Sequence, residues 1–184
     1  MAGREATIDD LYHVHADGKA EIVNGEIVLV SPTGYPHGYA AREIIAGLRE
    51  YERATGHGRA IPDPVAFVVD LPNRRSFCPD AAFHIDRLPR MGFIEGAPVF
   101  AAEVRSEEDD GPAAERRLAT KRADYFAAGT LVVWDVDVLR EGFVKAYRAR
   151  DPESPTTYCR GDRADAEPAV PGWSMPVDDL FLPE

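Results

Sequence analysis

Two side chains of opposite charge are predicted to face the same interior in the middle of the chain. Residues 99–105 alternate as a β-strand, which places Glu103 among apolar neighbours. In the helix predicted next, Lys121 falls on one narrow face with Leu118 and Tyr125, at about 100° per residue. A buried carboxylate is costly without a partner, and lysine rarely faces a core. The pattern indicates either a functional site or a salt bridge with no catalytic role.

A second carboxylate, Asp80, follows Pro79 at the start of another predicted strand. Two carboxylates on adjacent strands can hold a hard divalent cation such as Mg²⁺, which prefers oxygen ligands and keeps several waters. The backbone carbonyl of Val104 would supply another oxygen. The cation would polarise a phosphodiester and lower the pKa of a bound water, while Lys121 would orient that water or stabilise developing negative charge. The predicted chemistry is metal-dependent phosphodiester hydrolysis.

The elements that must position these residues predict an α/β (α+β) domain with a mixed sheet. The expected order is a β-hairpin turning at Asn24 and Gly25, a helix over residues 36–55, three strands, a helix from 110 to 129, and three strands. The strands are predicted at 64–70, 80–85, 99–105, 131–136, 142–147 and 156–159, with a turn at 151–155. This order differs from that of a doubly wound fold.

The length of 184 residues suits a single domain over residues 1–184. We expect residues 1–20 to form an N-terminal segment and residues 165–184 to form a tail that docks on the core. No run of about 18 apolar residues exists and the N-terminus lacks an apolar signal region, which predicts a cytoplasmic protein without a membrane span. Cys78 and Cys159 have no CxxC spacing, which argues against structural zinc or a disulfide framework.

The charge balance restricts the mode of nucleic-acid binding. A net charge of −11 argues against a broad basic surface but is compatible with a local basic cleft. Of the 21 basic residues, only Lys19, Lys121 and Lys145 are lysine. Because arginine serves almost every other cationic position, a lysine on the inner face of a helix is informative.

Histidines offer further ligands and a third hypothesis. His37 begins the first long helix on its apolar row, so it is either a satisfied, partly buried histidine or a site residue facing the sheet. His13 and His15, with an aspartate nearby, could ligate a metal, and more often form part of a loosely held first helix and turn. His84 shares the predicted strand face of Asp80. A metal hydrolase using His13, His15 or His84 is the resulting alternative.

Together these pieces resemble the restriction endonuclease-like family called Uma-two, a branch of the PD-(D/E)XK nuclease superfamily. The resemblance covers most of the chain and rests on Pro79-Asp80, residues 103–106, residues 121–125 with Gly129, the hairpin at 21–26, His37, and residues 131–136 and 178–181. It implies a restriction-endonuclease-like core, a mixed β-sheet flanked by helices with an N-terminal β-hairpin. It also implies Asp80 and Glu103 as metal ligands.

Two departures from the superfamily pattern concern the surroundings of Glu103. The superfamily usually has lysine two residues after the second acid, where this chain has Arg105, and Lys121 on the following helix takes the place of that lysine. Arg105 is expected either to contact phosphate or to neutralise Glu103 and block the metal. The family commonly has Ser-Pro after this strand, whereas here Ser106 is followed by the acidic run at 107–110, which would repel DNA unless it folds away or binds a cation.

The leading hypothesis is a Mg²⁺- or Mn²⁺-dependent phosphodiesterase acting on DNA, in which Asp80 and Glu103 hold the cation and Lys121 assists. A homodimer would suit cleavage of both strands. The alternative is a non-catalytic module of the same fold for binding or self-association, which the net charge and the acidic run favour. Stabilisation by Mn²⁺ would separate the two, because a specifically bound ion raises native stability by mass action.

Overall fold

A computed structural model describes residues 4–14, 19–30 and 33–183 of the chain. The three α-helices are α1 (Ile8–Tyr12), α2 (Tyr35–Thr55) and α3 (Gly111–Ala127). The thirteen strands of the described residues are β1 (Lys19–Val23), β2 (Glu26–Val30), β3 (Arg59–Pro62), β4 (Phe67–Val68), β5 (Ser76–Phe77), β6 (Ala81–His84), β7 (Ile94–Glu95), β8 (Phe100–Val104), β9 (Val132–Asp137), β10 (Phe143–Arg148), β11 (Asp151–Cys159), β12 (Arg163–Asp165) and β13 (Ser174–Pro176). Within these residues, no helix combines the length and apolar character needed to cross a bilayer.

Six strands form a central mixed sheet in the order β11-β10-β9-β8-β6-β3. Within this central sheet only β8 and β9 pair in parallel, and α3 connects them. One face of the sheet packs against α2 through Ile44 and Leu48, and the other against α3 and the small sheet β5-β4-β7. On that second face Tyr125 stacks on Phe77 with ring centroids 4.0 Å apart. The predicted α/β (α+β) class, with a mixed sheet flanked by helices, is confirmed.

The ends of both long helices follow the predicted signals. Gly56 ends α2 in the left-handed conformation at φ 68°, which glycine adopts without strain. Asp110 caps α3, and its carboxylate accepts a hydrogen bond from the Gly111 N–H at 2.9 Å. These limits fix which residues of α3 point at the sheet.

The N-terminal hairpin is separate from the central sheet but is attached to it. Asn24 and Gly25 turn the chain with φ of 51° and 76°, as the type I′ prediction requires. The Ile22 N–H donates to Ser76 Oγ at 2.9 Å, and the Arg75 N–H donates to the Ile22 carbonyl at 3.0 Å. These bonds hold β1 beside the segment that leads into β6.

Two sequence predictions, a strand over 64–70 and a turn over 151–155, are wrong, and several short strands were not predicted. Residues 64–70 contribute only Phe67 and Val68 to a strand, in the small sheet, because only these two residues pair with β5 and β7. The edge strand β3 was not predicted, since a four-residue segment with one buried side chain gives little alternation. Residues 151–155 continue β11 rather than turn, because an edge strand tolerates prolines whose missing N–H would face solvent.

The C-terminal residues lie against the first face of the sheet. Trp173 stacks on Trp134 with ring centroids 5.2 Å apart. Val177 and Leu180, in a final 3₁₀ turn, are buried. The hairpin and α3 instead lie near the start of β6 and the end of β8.

Candidate metal centre

The two predicted acidic ligands lie side by side at one end of the central sheet. β6 and β8 pair antiparallel with Ala81 opposite Ala102, so Asp80 comes next to Glu103. The Asp80 N–H extends this ladder by donating to the Ala102 carbonyl at 3.2 Å. Asp80 is only 4% exposed and Glu103 is partly buried. Two carboxylates placed together in this way repel each other and favour a cation between or beside them.

α3 delivers a lysine and a tyrosine to Glu103. Lys121 Nζ lies 2.8 Å from Glu103 Oε2, and the Tyr125 hydroxyl donates to Oε1 at 2.6 Å. Both side chains come from the inner face of α3 that the helical spacing predicts. The predicted contact between Lys121 and Glu103 is confirmed, while the catalytic role of Lys121 stays a prediction.

A second buried carboxylate, Glu21 of the hairpin, also pairs with Lys121. Glu21 is 5% exposed, and its Oε1 lies 2.9 Å from Lys121 Nζ. Glu21 also accepts hydrogen bonds from the Cys78 N–H at 2.9 Å and from Arg74 Nη1 at 2.6 Å. Arg74 continues to Asp124 on α3 at 2.8 Å. Lys121 is therefore fixed between two carboxylates, one of which is itself fully hydrogen-bonded.

Asp80 also has a lysine partner. The Lys19 ammonium, at the start of β1, hydrogen-bonds Asp80 Oδ1 and lies 3.2 Å from Asp63 Oδ1. The Lys19 side chain is only 11% exposed. The hairpin thus supplies one cation and one carboxylate to the site.

The other oxygen of Asp80 is held by α2 and by β8. His37 Nε2 lies 3.3 Å from Asp80 Oδ2, and His37 Nδ1 lies 2.9 Å from Thr33 Oγ1. The Val104 N–H donates to the same Oδ2 at 2.7 Å. Because the N–H and C=O of a strand residue point to the same side, the Val104 carbonyl is also directed toward the Asp80 side of β8. His37 is therefore buried beside the predicted site with a polar partner near each ring nitrogen, which fits both of its interpretations.

The carboxylates of the site respond differently to burial. Burial raises the pKa of Glu103 above its usual value, and although the ammonium groups of Lys121 and Lys19 act to lower that pKa, the charges of Asp80 and Glu21 act with burial to keep it raised. Burial also acts to raise the pKa of Asp80, but the hydrogen bond from His37 and the nearby ammonium group outweigh it and hold that pKa well below its usual range. Negative charge at Glu103 is thus incompletely compensated by the protein.

The donor set fits Mg²⁺ or Mn²⁺ held through two carboxylates. Across residues 4–14, 19–30 and 33–183, no group of three or more His, Cys, Asp or Glu side chains is arranged to hold a metal. Mg²⁺ is commonly bound by one or two carboxylates with several waters, which Asp80 and Glu103 can provide. The connected network also contains more anions than cations, with Glu21, Asp63, Asp80, Glu103 and Asp124 facing Lys19, Arg74 and Lys121.

Arg105 does not pair with Glu103, and the prediction that it neutralises this carboxylate is wrong. Its Nε and Nη2 each donate to Asp135 at 2.7 Å, and its Nη2 lies 3.2 Å from Glu115 Oε2 on α3. Arg105 lies on the face of Glu103, as the alternation predicts, but its guanidinium is taken up by Asp135, the residue of β9 that pairs with Glu103, and by Glu115 of α3. Contact of Arg105 with phosphate stays a prediction.

Two of the four residues in the acidic run after β8 build the turn into α3. Asp109 accepts hydrogen bonds from the Ser106 N–H and Oγ, both at 2.9 Å, and Asp110 caps the helix. Glu107 and Glu108 are exposed. Half of the run therefore folds into local hydrogen bonds, as one of the two outcomes named for it required.

The remaining histidines do not join the site in the described residues. The His13 side chain is largely exposed and contacts the Asp9 carbonyl at 2.7 Å. His15 lies outside the described residues. His84 is buried against Phe67, with ring centroids 5.8 Å apart, and lies about 13 Å along β6 from Asp80 at about 3.3 Å per residue. The interpretation of His84 as a neighbour of Asp80 is wrong, because His84 lies four positions further along the chain, at the other end of β6.

Sequence reasoning missed Lys19, Glu21, Arg74 and Tyr125 as site residues. The scarcity of lysine gave a signal for Lys19, and Tyr125 already shared the helical face of Lys121. Nothing local distinguishes Glu21 or Arg74, because their partners come from distant parts of the chain.

Comparisons with known proteins identify the family and agree with the fold. The sequence profile of the Uma2 family, described as "Putative restriction endonuclease", matches residues 6–178. A crystal structure of a protein from Anabaena variabilis, described as a "putative nuclease belonging to DUF820", aligns with a TM-score of 0.75 and 19% identity over 96% of this chain and 97% of that chain. At this identity the structural likeness shows the fold alone. No curated protein matches the chain.

Proposed function

Because this chain belongs to the Uma2 family of restriction endonuclease-like proteins, we propose that it is a nuclease that hydrolyses DNA phosphodiester bonds with Mg²⁺ or Mn²⁺. One observation carries the proposal: Asp80 and Glu103 meet on adjacent strands, and Lys121 Nζ lies 2.8 Å from Glu103. This arrangement combines hard oxygen ligands with a cationic donor, the groups that phosphodiester hydrolysis requires.

Asp80, Glu103 and the Val104 carbonyl would hold the cation. A bound Mg²⁺ or Mn²⁺ would polarise the scissile phosphate and lower the pKa of a water molecule. The protein orients its two carboxylates in advance: the Tyr125 hydroxyl fixes Glu103 at 2.6 Å, and the Val104 N–H fixes Asp80 at 2.7 Å. Such supporting hydrogen bonds keep ligand oxygens aimed at the ion position.

Lys121 acts as a cationic donor rather than as a base. Burial would lower its pKa, but the charges of Glu103 and Glu21 outweigh burial and raise that pKa above its usual value, so the ammonium stays protonated at neutral pH. An ammonium group has three N–H donors, and the hydrogen bonds to Glu103 and Glu21 use two of them. The third donor serves a phosphate oxygen or the attacking water, where it stabilises developing negative charge.

A DNA cleavage assay tests the proposal. With Mn²⁺ or Mg²⁺ the wild-type protein should cleave, and Asp80→Asn, Glu103→Gln and Lys121→Met should each reduce the rate by about 100-fold or more. Glu108→Gln and Lys145→Met repeat two of these substitutions outside the site and should retain activity. Circular dichroism establishes that each variant is folded. Cleavage that persists in all three site variants would overturn the proposal.

A non-catalytic binding module is the second candidate, and the pairing of Lys19 with Asp80 favours it. In such a module the lysines would serve only to neutralise the carboxylates. Thermal unfolding with and without Mn²⁺ separates the candidates, because a bound ion raises the melting temperature by mass action. A Mn²⁺-dependent rise that Asp80→Asn removes favours the nuclease, and equal melting temperatures favour the module.

We further propose that the nuclease acts in the cytoplasm and as a homodimer on duplex DNA, since two copies would present one centre to each strand. Sedimentation equilibrium with and without duplex DNA measures the oligomeric state directly. A monomer under both conditions would contradict the dimer.

A further inference from the structure

Lys19 occupies a position that suits a cation of higher charge. Its ammonium group hydrogen-bonds Asp80 and lies 3.2 Å from Asp63. Burial lowers the pKa of Lys19, but the charges of Asp80, Glu103 and Asp63 outweigh burial and raise it. The lysine thus lies in the field of three carboxylates, including both proposed metal ligands.

Lys19 and the backbone bind different oxygens of the Asp80 carboxylate. Oδ2 of Asp80 is held by the Val104 N–H and lies near His37 Nε2. Oδ1 is bonded to Lys19, and this is its only hydrogen bond within the described residues. A divalent ion on Asp80 would need this same oxygen, and an ammonium and a metal ion in contact with one oxygen would repel each other strongly in a buried site.

The two lysines of the site differ in how firmly they are held. Lys121 is fixed by Glu103 and by Glu21, and Glu21 is anchored by the buried Arg74. The second partner of Lys19 is Asp63, whose side chain is 43% exposed. Lysine carries its charge on a flexible four-carbon stem, so Lys19 can leave Asp80 without moving the strand that bears it.

We propose that Lys19 is a built-in competitor of the metal: it neutralises Asp80 when no divalent ion is bound and is displaced when one binds. This inference rests on the proposed metal-dependent function. Displacement frees the Lys19 ammonium group to contact the phosphate backbone of a substrate. Metal binding and substrate binding would then be coupled through Lys19.

Isothermal titration with MnCl₂ tests the competition without an activity readout. Lys19→Met should bind Mn²⁺ about tenfold more tightly than the wild type, the equivalent of about 1.4 kcal/mol. Lys145→Met, which removes a lysine outside the site, should bind as the wild type does, and Asp80→Asn should lose binding. Binding to Lys19→Met alone, with none to the wild type, also supports the proposal.

The possible outcomes distinguish failure of the proposed competition from failure of the proposed metal site. If the wild type binds Mn²⁺ through Asp80 and Lys19→Met binds equally or more weakly, the competition is overturned and the metal site stands. If neither protein binds Mn²⁺, both proposals fall.

A second measurement follows the displacement in the native chain, and variants serve only to assign its signals. With only three lysines, ¹³C-lysine-labelled protein gives few Cε signals, which the Lys19→Met and Lys145→Met variants assign. Saturating Mg²⁺ should shift the Lys19 signal and leave that of Lys145 in place. A Lys19 signal that does not move at saturation would contradict displacement.

Discussion

Lys121 and Glu103 lie on consecutive elements, and their side chains meet 2.8 Å apart across the gap between α3 and β8. Because α3 is the crossover between the parallel strands β8 and β9, its inner face must pack on the strand that carries Glu103. The salt bridge is thus a consequence of topology as well as of charge. Glu21, 2.9 Å from the same ammonium, makes the hairpin part of the site.

Replacement of Lys121 should reduce activity whether or not the positive charge is kept, but the loss of stability should depend on that charge. Lys121→Met leaves Glu103 and Glu21 without their shared cation, and breaking such a buried pair costs about 3 kcal/mol. Lys121→Arg keeps the charge and should cost less stability. Both variants should lose about 100-fold or more in cleavage rate, since the broader guanidinium group does not reproduce the geometry of the ammonium. Urea denaturation measures stability, and full activity of Lys121→Arg would contradict the positional role.

Arg105 should matter for stability but not for metal binding. Its guanidinium is bonded to Asp135 at 2.7 Å and does not contact Glu103, so Arg105→Met should lower the free energy of unfolding by about 3–5 kcal/mol. The affinity for Mn²⁺, measured by calorimetry below the melting temperature, should equal that of the wild type. A large change in affinity would show that Arg105 acts on the metal centre after all.

The raised pKa of Glu103 predicts a pH dependence of stability. Between the ordinary value of 4.5 and the higher folded value, the folded state binds more protons than the unfolded state. The contribution of Glu103 to stability is therefore present at acid pH and is lost as pH rises through its folded pKa. Glu103→Gln lacks this titration.

Urea unfolding in a chelating buffer between pH 4.5 and 7 measures the effect. The stability of the wild type relative to Glu103→Gln should fall as pH rises. Glu108→Gln, the same substitution at an exposed position, controls for the substitution itself. A difference that stays constant with pH, or grows, would contradict the raised pKa.

The two cysteines should differ sharply in reactivity. Cys78 is 2% exposed and burial raises its pKa to about 12, whereas Cys159 is exposed. Since the thiolate is the reactive form, a thiol reagent at pH 8 should modify one cysteine per folded chain and two in denaturant. Cys159→Ser should abolish the fast reaction. Rapid modification of Cys78 would show that the segment beside Asp80 opens readily.

The parts of the site that depend on local periodicity were predictable from the sequence. Strand alternation placed Glu103 inward, helical spacing placed Lys121 on the inner face of α3, and the proline before Asp80 marked a strand start. Each of these relationships spans only a few residues, and the structure brings all three side chains together.

The parts that depend on distant pairing were not predictable. Lys19 and Glu21 reach the centre because β1 is attached to the segment around Ser76, more than fifty residues away. The prediction that Arg105 neutralises Glu103 failed because its partners, Asp135 on β9 and Glu115 on α3, come from other elements of the fold. Long-range packing, rather than local propensity, completes the site.

The most direct test of the metal centre is an anomalous diffraction map from crystals soaked in Mn²⁺. The geometry predicts one strong peak bonded to carboxylate oxygens of both Asp80 and Glu103, at about 2.2 Å from each. The Lys19 side chain should have left Asp80 in the same crystal. Absence of a peak at saturating Mn²⁺, or a peak bonded to other residues with Lys19 still on Asp80, would contradict the assignment.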